Sequence, residues 1–204
     1  MTSVGVDAVV ERLRGLGFEK RSGLIFTLPL DGGSVLAWVG LNKASHRGRP
    51  GEVLLNPVVG VRHQGVERVV ADLRGEKFHG SLPPTVSLPL RYLVPAEARR
   101  DWVVMGGTAD AEVADRLVGA VDRYGFEFMR GASDVPGLIA ALRAGRGPAH
   151  QNAYRLPVAL LAAGGLEEAL SFVEDELRAL GDRADPAAEE FRRFAARLRA
   201  TAWD

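Results

Sequence analysis

Two groups of side chains in this sequence have types and spacings that could do chemistry. His63 and Glu67 stand four residues apart, an interval that brings two side chains onto one face of a helix. An imidazole and a carboxylate so placed can pair as base and orienter, or share a metal ion. With His46 and nearby basic side chains, the pattern would serve a hydrolase or nuclease. The second group is cationic: Lys43, His46, Arg47 and Arg49, with Arg62, Arg68 and Lys77 further along. Arginine offers directed pairs of donors and lysine a mobile charge, so a cluster of this kind suits phosphates.

Each group lacks the surroundings that would make it specific. His63 and Glu67 are not part of an HExxH pattern and no second histidine stands in register, so no metal and no cofactor is expected. The simpler reading of the pair is an ion pair on a helix surface. Glu52, Glu67, Asp72 and Glu76 interrupt the basic cluster, and no aromatic stacking series or zinc module accompanies it. Nucleic-acid binding is therefore the lesser reading. The better reading is a recognition surface for a protein, made by Lys43, His46, Arg47, Arg49, Arg62 and Arg68.

Composition narrows the classes further. Of 204 residues, 47% are hydrophobic, enough for an ordinary packed core. The absence of cysteine excludes disulfides, thiolate metal sites and cysteine nucleophiles, and it fits a reducing, cytoplasmic location. The start MTSVGVDAVVERLRG carries early acidic residues and no long apolar core, unlike a signal peptide. The longest apolar run, 156–166, is too short to cross a bilayer, so no membrane partner is expected. Formal net charge is zero but unevenly divided: residues 1–100 hold 14 Lys and Arg against 9 Asp and Glu, residues 101–204 hold 12 against 17. Such a polar chain can dock its halves, self-associate head to tail, or show a basic face to an acidic partner.

The elements that must position these residues follow from periodicity. Val6, Val9, Val10, Leu13 and Leu16 predict a helix over 3–16, capped by Ser3. Leu24, Phe26, Leu28 and Leu30 alternate, and Asp31-Gly32-Gly33 is a turn signal, so 23–30 and 34–44 should form a hairpin. Pro57 confines 52–61 to an edge strand or two short strands. Val66, Val69, Val70 and Leu73 mark a short helix over 63–73, and strands are expected in 85–94 and 102–105. Beyond 110 the pattern is helical: one helix ended by Gly125, another over 135–142, then 151–163, 166–180 and 186–202, the last opened by Asp185-Pro186. Tyr124, Phe126 and Phe128 alternate after the Gly125 stop and, like Phe18, Phe26, Trp38, Tyr92 and Trp102, read as packing anchors. The fold expected is α+β, with an antiparallel or mixed sheet flanked by helices in 1–108 and a helical region in 109–204, separate or packed in the same domain.

The run Leu16-Gly17-Phe18-Glu19-Lys20-Arg21-Ser22-Gly23, followed by Phe26 and the strand Trp38 to Asn42, resembles a bacterial family of domains of unknown function, the one numbered 4304. The resemblance is clearest over 20–45. It implies a first helix leading through a GF-K-R junction into an antiparallel sheet, and it carries no catalytic residues. NPVVGVRHQGVE and NAYRLPVALL are similar to segments of uncharacterised actinobacterial proteins. Families of this appearance occur near toxin and immunity loci. The expectation is a non-enzymatic protein-binding or accessory protein, with a hydrolase or nuclease at His63 and Glu67, and a self-associating structural or regulatory protein, as alternatives.

Overall fold

The computed structural model describes residues 4–45 and 51–201. Ser3, His46, Arg47 and Arg49 lie outside the described residues. The fold is α+β, with a six-stranded antiparallel sheet in the amino-terminal half and helices in the carboxyl-terminal half. The strands are β1 (Glu19–Ser22), β2 (Ile25–Leu30), β3 (Val35–Ser45), β4 (Val53–His63), β5 (Val86–Pro89) and β6 (Trp102–Val104). The helices are α1 (Val4–Gly15), α2 (Gln64–Arg74), α3 (Asp110–Ala120), α4 (Phe126–Gly131), α5 (Val135–Arg143), α6 (Ala149–Ala162), α7 (Leu166–Leu180) and α8 (Pro186–Thr201). Strand order is β1-β2-β3-β4-β5, with β6 paired to β4.

The chain's contacts group into two compact units, Met1–Val61 with Ser87–Gly131, and Arg62–Val86 with Ala132–Asp204. The units do not follow chain order: α3 and α4 group with the sheet, and α2 groups with the later helices. The chain leaves the first unit near the end of β4 and returns at the start of β5.

In the first unit the expected hairpin is present, with β2 and β3 in register from Ile25↔Gly40 to Leu30↔Val35. Its turn places Asp31, Gly32 and Gly33 at φ of 44°, 65° and 91°, a run of left-handed residues that two glycines make accessible. Phe26 and its partner Val39 are fully buried. Trp38 is buried as well, its ring lying over Gly40, where a β-carbon would come within 2.4 Å of the indole. Two sequence expectations need correction here. Strand β4 is continuous through Pro57, with β3 and β5 as neighbours, and β6 pairs only with Val53 to Leu55. Gly125 does not stop the helix: α3 runs through a π-helical turn, Val121–Gly125, into α4. Tyr124, Phe126 and Phe128 are therefore helical, and Phe126 packs on Phe18 with ring centroids 5.6 Å apart. Tyr92, read as an anchor, ends a single 3₁₀ turn and is 67% exposed.

In the second unit α2 packs on α6 and α8, α5 and α7 pack on α6, and α7 on α8. The helices 151–163, 166–180 and 186–202 expected from spacing are α6, α7 and α8 within one to two residues at each end. Their interior includes Tyr154, Phe191 and Phe194, whose rings meet at centroid distances of 5.0 to 5.8 Å. Asp134 caps α5, its carboxylate accepting from Gly137 N at 2.7 Å. Helix α2 ends at Gly75, φ 73°, with Gly75 N bonded to Asp72 O and Glu76 N to Ala71 O, the paired bonds of a Schellman motif. That turn redirects the chain into the segment over 76–85, which borders the site described next.

Candidate functional site

The second unit contains a cleft of about 380 Å³ between α2, the segment after it and the first turns of α6. Its floor is ionic. Arg62, at the end of β4, is 1% exposed; Glu67, on α2, is 7% exposed; Arg155, on α6, is 2% exposed. Charges so buried require compensation, and Glu67 supplies it to both arginines. Its Oε1 lies 2.7 Å from Arg155 Nε and its Oε2 3.4 Å from Arg62 Nη1 and from Arg155 Nη2. Burial pulls both guanidiniums below the usual arginine range, and Glu67 opposes the fall in each.

The two arginines differ in what remains free. Arg62 is fully engaged: Nη1 donates to the Pro83 carbonyl, Nη2 to the His79 carbonyl, and Nε to Gln64 Oε1 at 3.3 Å. These bonds hold the segment that follows α2, which Gln64 also ties through Nε2 to Gly80 O at 2.7 Å. Phe78 is flanked by Arg62 and Arg68, 5.4 and 4.7 Å from its ring centre. Arg155, by contrast, keeps Nη1 buried with no hydrogen-bond partner among the described residues. One turn earlier on the same helix, Gln151 Oε1 is also buried without a partner. A buried donor or acceptor left in this condition costs about 1–3 kcal/mol. The four such side-chain atoms among the described residues belong to Glu67, Gln151, Asn152 and Arg155, all in this unit, and three of these residues line the cleft.

At the mouth, Arg74 stacks over the Tyr154 ring at 4.5 Å while its Nε donates to Glu190 Oε1 at 2.8 Å and Nη2 lies 2.9 Å from Glu76 Oε1. Burial raises the Tyr154 hydroxyl above its usual range, and Glu190 adds to the rise. Lys77 and His79 complete the rim and are exposed.

Of the residues singled out in the sequence, the fold gathers Arg62, Glu67 and Arg68 around this cleft and its Phe78 border. His63 and Glu67 are not an ion pair on a helix surface: His63 is 5% exposed and precedes α2, and both side chains are turned inward. His63 Nε2–H donates to Ala132 O at 2.8 Å, its backbone N donates to Thr85 Oγ1 at 2.9 Å, and the ring does not line the cleft. Burial holds its pKa below 6.5. Lys43 is exposed on β3 in the other unit. No group of three or more metal-ligating side chains occurs among the described residues.

Arg155, Gln151, Tyr154 and Arg74 escaped the sequence reading. One signal was present: Arg155 is the sole charged residue between His150 and Glu167, set in an otherwise apolar helix. A lone arginine there needs a buried acid or a ligand. No family model, curated protein or solved structure matches this chain, and no helix among the described residues is long and apolar enough to cross a membrane.

Proposed function

We propose that this chain is a non-enzymatic binding protein whose recognition site is the arginine-lined cleft and whose ligand presents an anionic group there. The observation that carries the reading is Arg155, a buried residue of the cleft lining whose Nη1 is a cationic donor with no partner among the described residues. Arg155 is already oriented by Glu67, so little is lost in ordering it on binding. Lys77 at the rim adds a mobile charge that draws anions inward. The described lining holds no Ser, Thr or Cys to act as nucleophile, and of its two acids Glu67 is committed to two arginines and Glu76 to Arg74, which favours binding over catalysis.

Isothermal titration with acetate and with inorganic phosphate at low ionic strength tests the reading. Arg155→Lys keeps the charge and loses the planar donor pair, so it should weaken binding at least about tenfold. Lys77→Ala, an exposed change that leaves the fold alone, should weaken it by less than about fivefold and flatten the salt dependence. Absence of binding by the wild-type protein, or equal affinity in Arg155→Lys, refutes the proposal.

A further inference from the structure

We infer, resting on the anion-site reading above, that the ligand is a carboxylate carrying a neutral hydrogen-bond donor on the adjacent carbon, as in an α-hydroxy acid or the terminal residue of a peptide. Two atoms define it. Arg155 Nη1 is a donor in need of an acceptor, and Gln151 Oε1 is an acceptor in need of a donor. They stand four residues apart on α6, hence on one face and about 5–6 Å apart at their β-carbons. Neither bonds the other or any described residue, which leaves both open to a group from outside the chain. One small molecule that completes both offers an acceptor to Arg155 and a donor to Gln151, and an acid with its donor on the next carbon is the simplest that does.

Charge selects among the candidates. Arg62, Arg74, Lys77 and Arg155 line the cleft against Glu67 and Glu76, and Glu190 bonds Arg74 at the edge. Arg68, over the Phe78 border, adds a further cation, so positive charge remains in excess and a carboxylate reduces it. An α-ammonium is disfavoured because it would bring a further cation to a wall already rich in arginine. A hydroxyl or an amide N–H supplies the donor without charge. The cleft, about 380 Å³, lies at the small end of the range of about 300–1,000 Å³ for ligand sites, in keeping with a small acid or one terminal residue.

The experiment compares lactate with propionate, and N-acetylalanine with N-acetylalanine amide, by isothermal titration on wild-type protein and Gln151→Leu. Gln151 is half-buried near the start of α6, so the substitution is expected to fold; Gln151→Asn, which retracts the same amide, serves as a second variant. The expected result is that lactate binds about fivefold more tightly than propionate, and that both Gln151 variants erase this preference. N-Acetylalanine should bind and its amide should not; tighter binding of N-acetylalanine than lactate assigns the site to a peptide terminus, and the reverse assigns it to a free hydroxy acid. Equal binding of lactate and propionate by the wild type overturns this inference and leaves the anion site standing. If no acid binds, water alone completes both atoms and the anion-site reading falls with it.

Discussion

Replacing Glu67 by glutamine removes one negative charge at constant shape and exposes how the second unit is held. The carboxylate serves two guanidiniums that are 1% and 2% exposed. Breaking a buried pair by removing one partner costs about 3–5 kcal/mol, since the remaining charge stays out of water. The glutamine oxygen can still accept from Arg155, returning about 0.5–1.5 kcal/mol. The net loss should be about 2–4 kcal/mol, which for a chain of this size lowers Tm by about 5–15 °C. Urea unfolding followed by helical circular dichroism is the suitable assay, because the second unit carries α2 and α5 to α8. Two transitions are to be fitted separately if the units unfold apart. A matched pair sharpens the test: Glu67→Leu alone should be worse than Glu67→Leu with Arg155→Leu, because the double variant removes one of the two stranded charges along with its partner. A loss below about 1 kcal/mol in Glu67→Gln, the size of a solvent-exposed pair, or simple additivity in the double variant, would refute the reasoning.

Three further outcomes follow from local geometry. Gly75→Ala places a β-carbon at φ 73° and 2.9 Å from Arg197 Nη1, which itself lies 3.0 Å from Leu73 O; a loss of about 1–2 kcal/mol in the urea midpoint is expected, and an unchanged midpoint would contradict the αL cap. Gly5→Ala would put a β-carbon 2.2 Å from Asp110 Oδ2 and 2.7 Å from Val104 Cβ. Asp110 is pinned by Met105 N and Gly106 N at 2.9 and 2.8 Å, so overpacking of about 1–3 kcal/mol should appear as a lower Tm. Burial depresses the His63 pKa below its unfolded value of 6.5, so below about pH 6.5 the unfolded chain takes up a proton that the folded chain refuses, and stability falls as pH drops toward 5. His63→Gln keeps a donor for Ala132 O and should flatten that slope between pH 7 and 5; an identical slope in the variant counts against the assignment.

The fold was legible where one local pattern decides the outcome. Alternation with an Asp-Gly-Gly turn specifies the β2–β3 hairpin, and apolar residues at intervals of three and four specify α6, α7 and α8. It was illegible where a residue's local preference serves a tertiary purpose. Gly125 reads as a helix stop, yet it is buried inside a helix, with Val59 Cγ1 and Met129 Cε 3.3 and 3.4 Å from where its β-carbon would be. Its missing side chain admits a neighbouring strand. Pro57 reads as an edge signal, yet it stands in an interior strand, past the residues that pair with β6.

The same reasoning explains why half of the candidate site was in view and the other half was not. Arg62, His63 and Glu67 are close in sequence, so their spacing drew attention, but spacing says only that side chains can meet and not what they meet. Glu67 completes its environment with Arg155, 88 residues away, and a partner at that separation has no local signature. The sign of its presence is a mismatch of burial with charge: an arginine alone in the apolar run Tyr154 to Leu160, and a glutamate beside Val66 and Val70 on the inward face of α2. Each is improbable by itself in a core, and together they are compatible only as partners. Two buried arginines against one acid leave a residual positive charge, and its place beside an open cleft, with a guanidinium donor unpartnered among the described residues, is what the proposed anion site rests on.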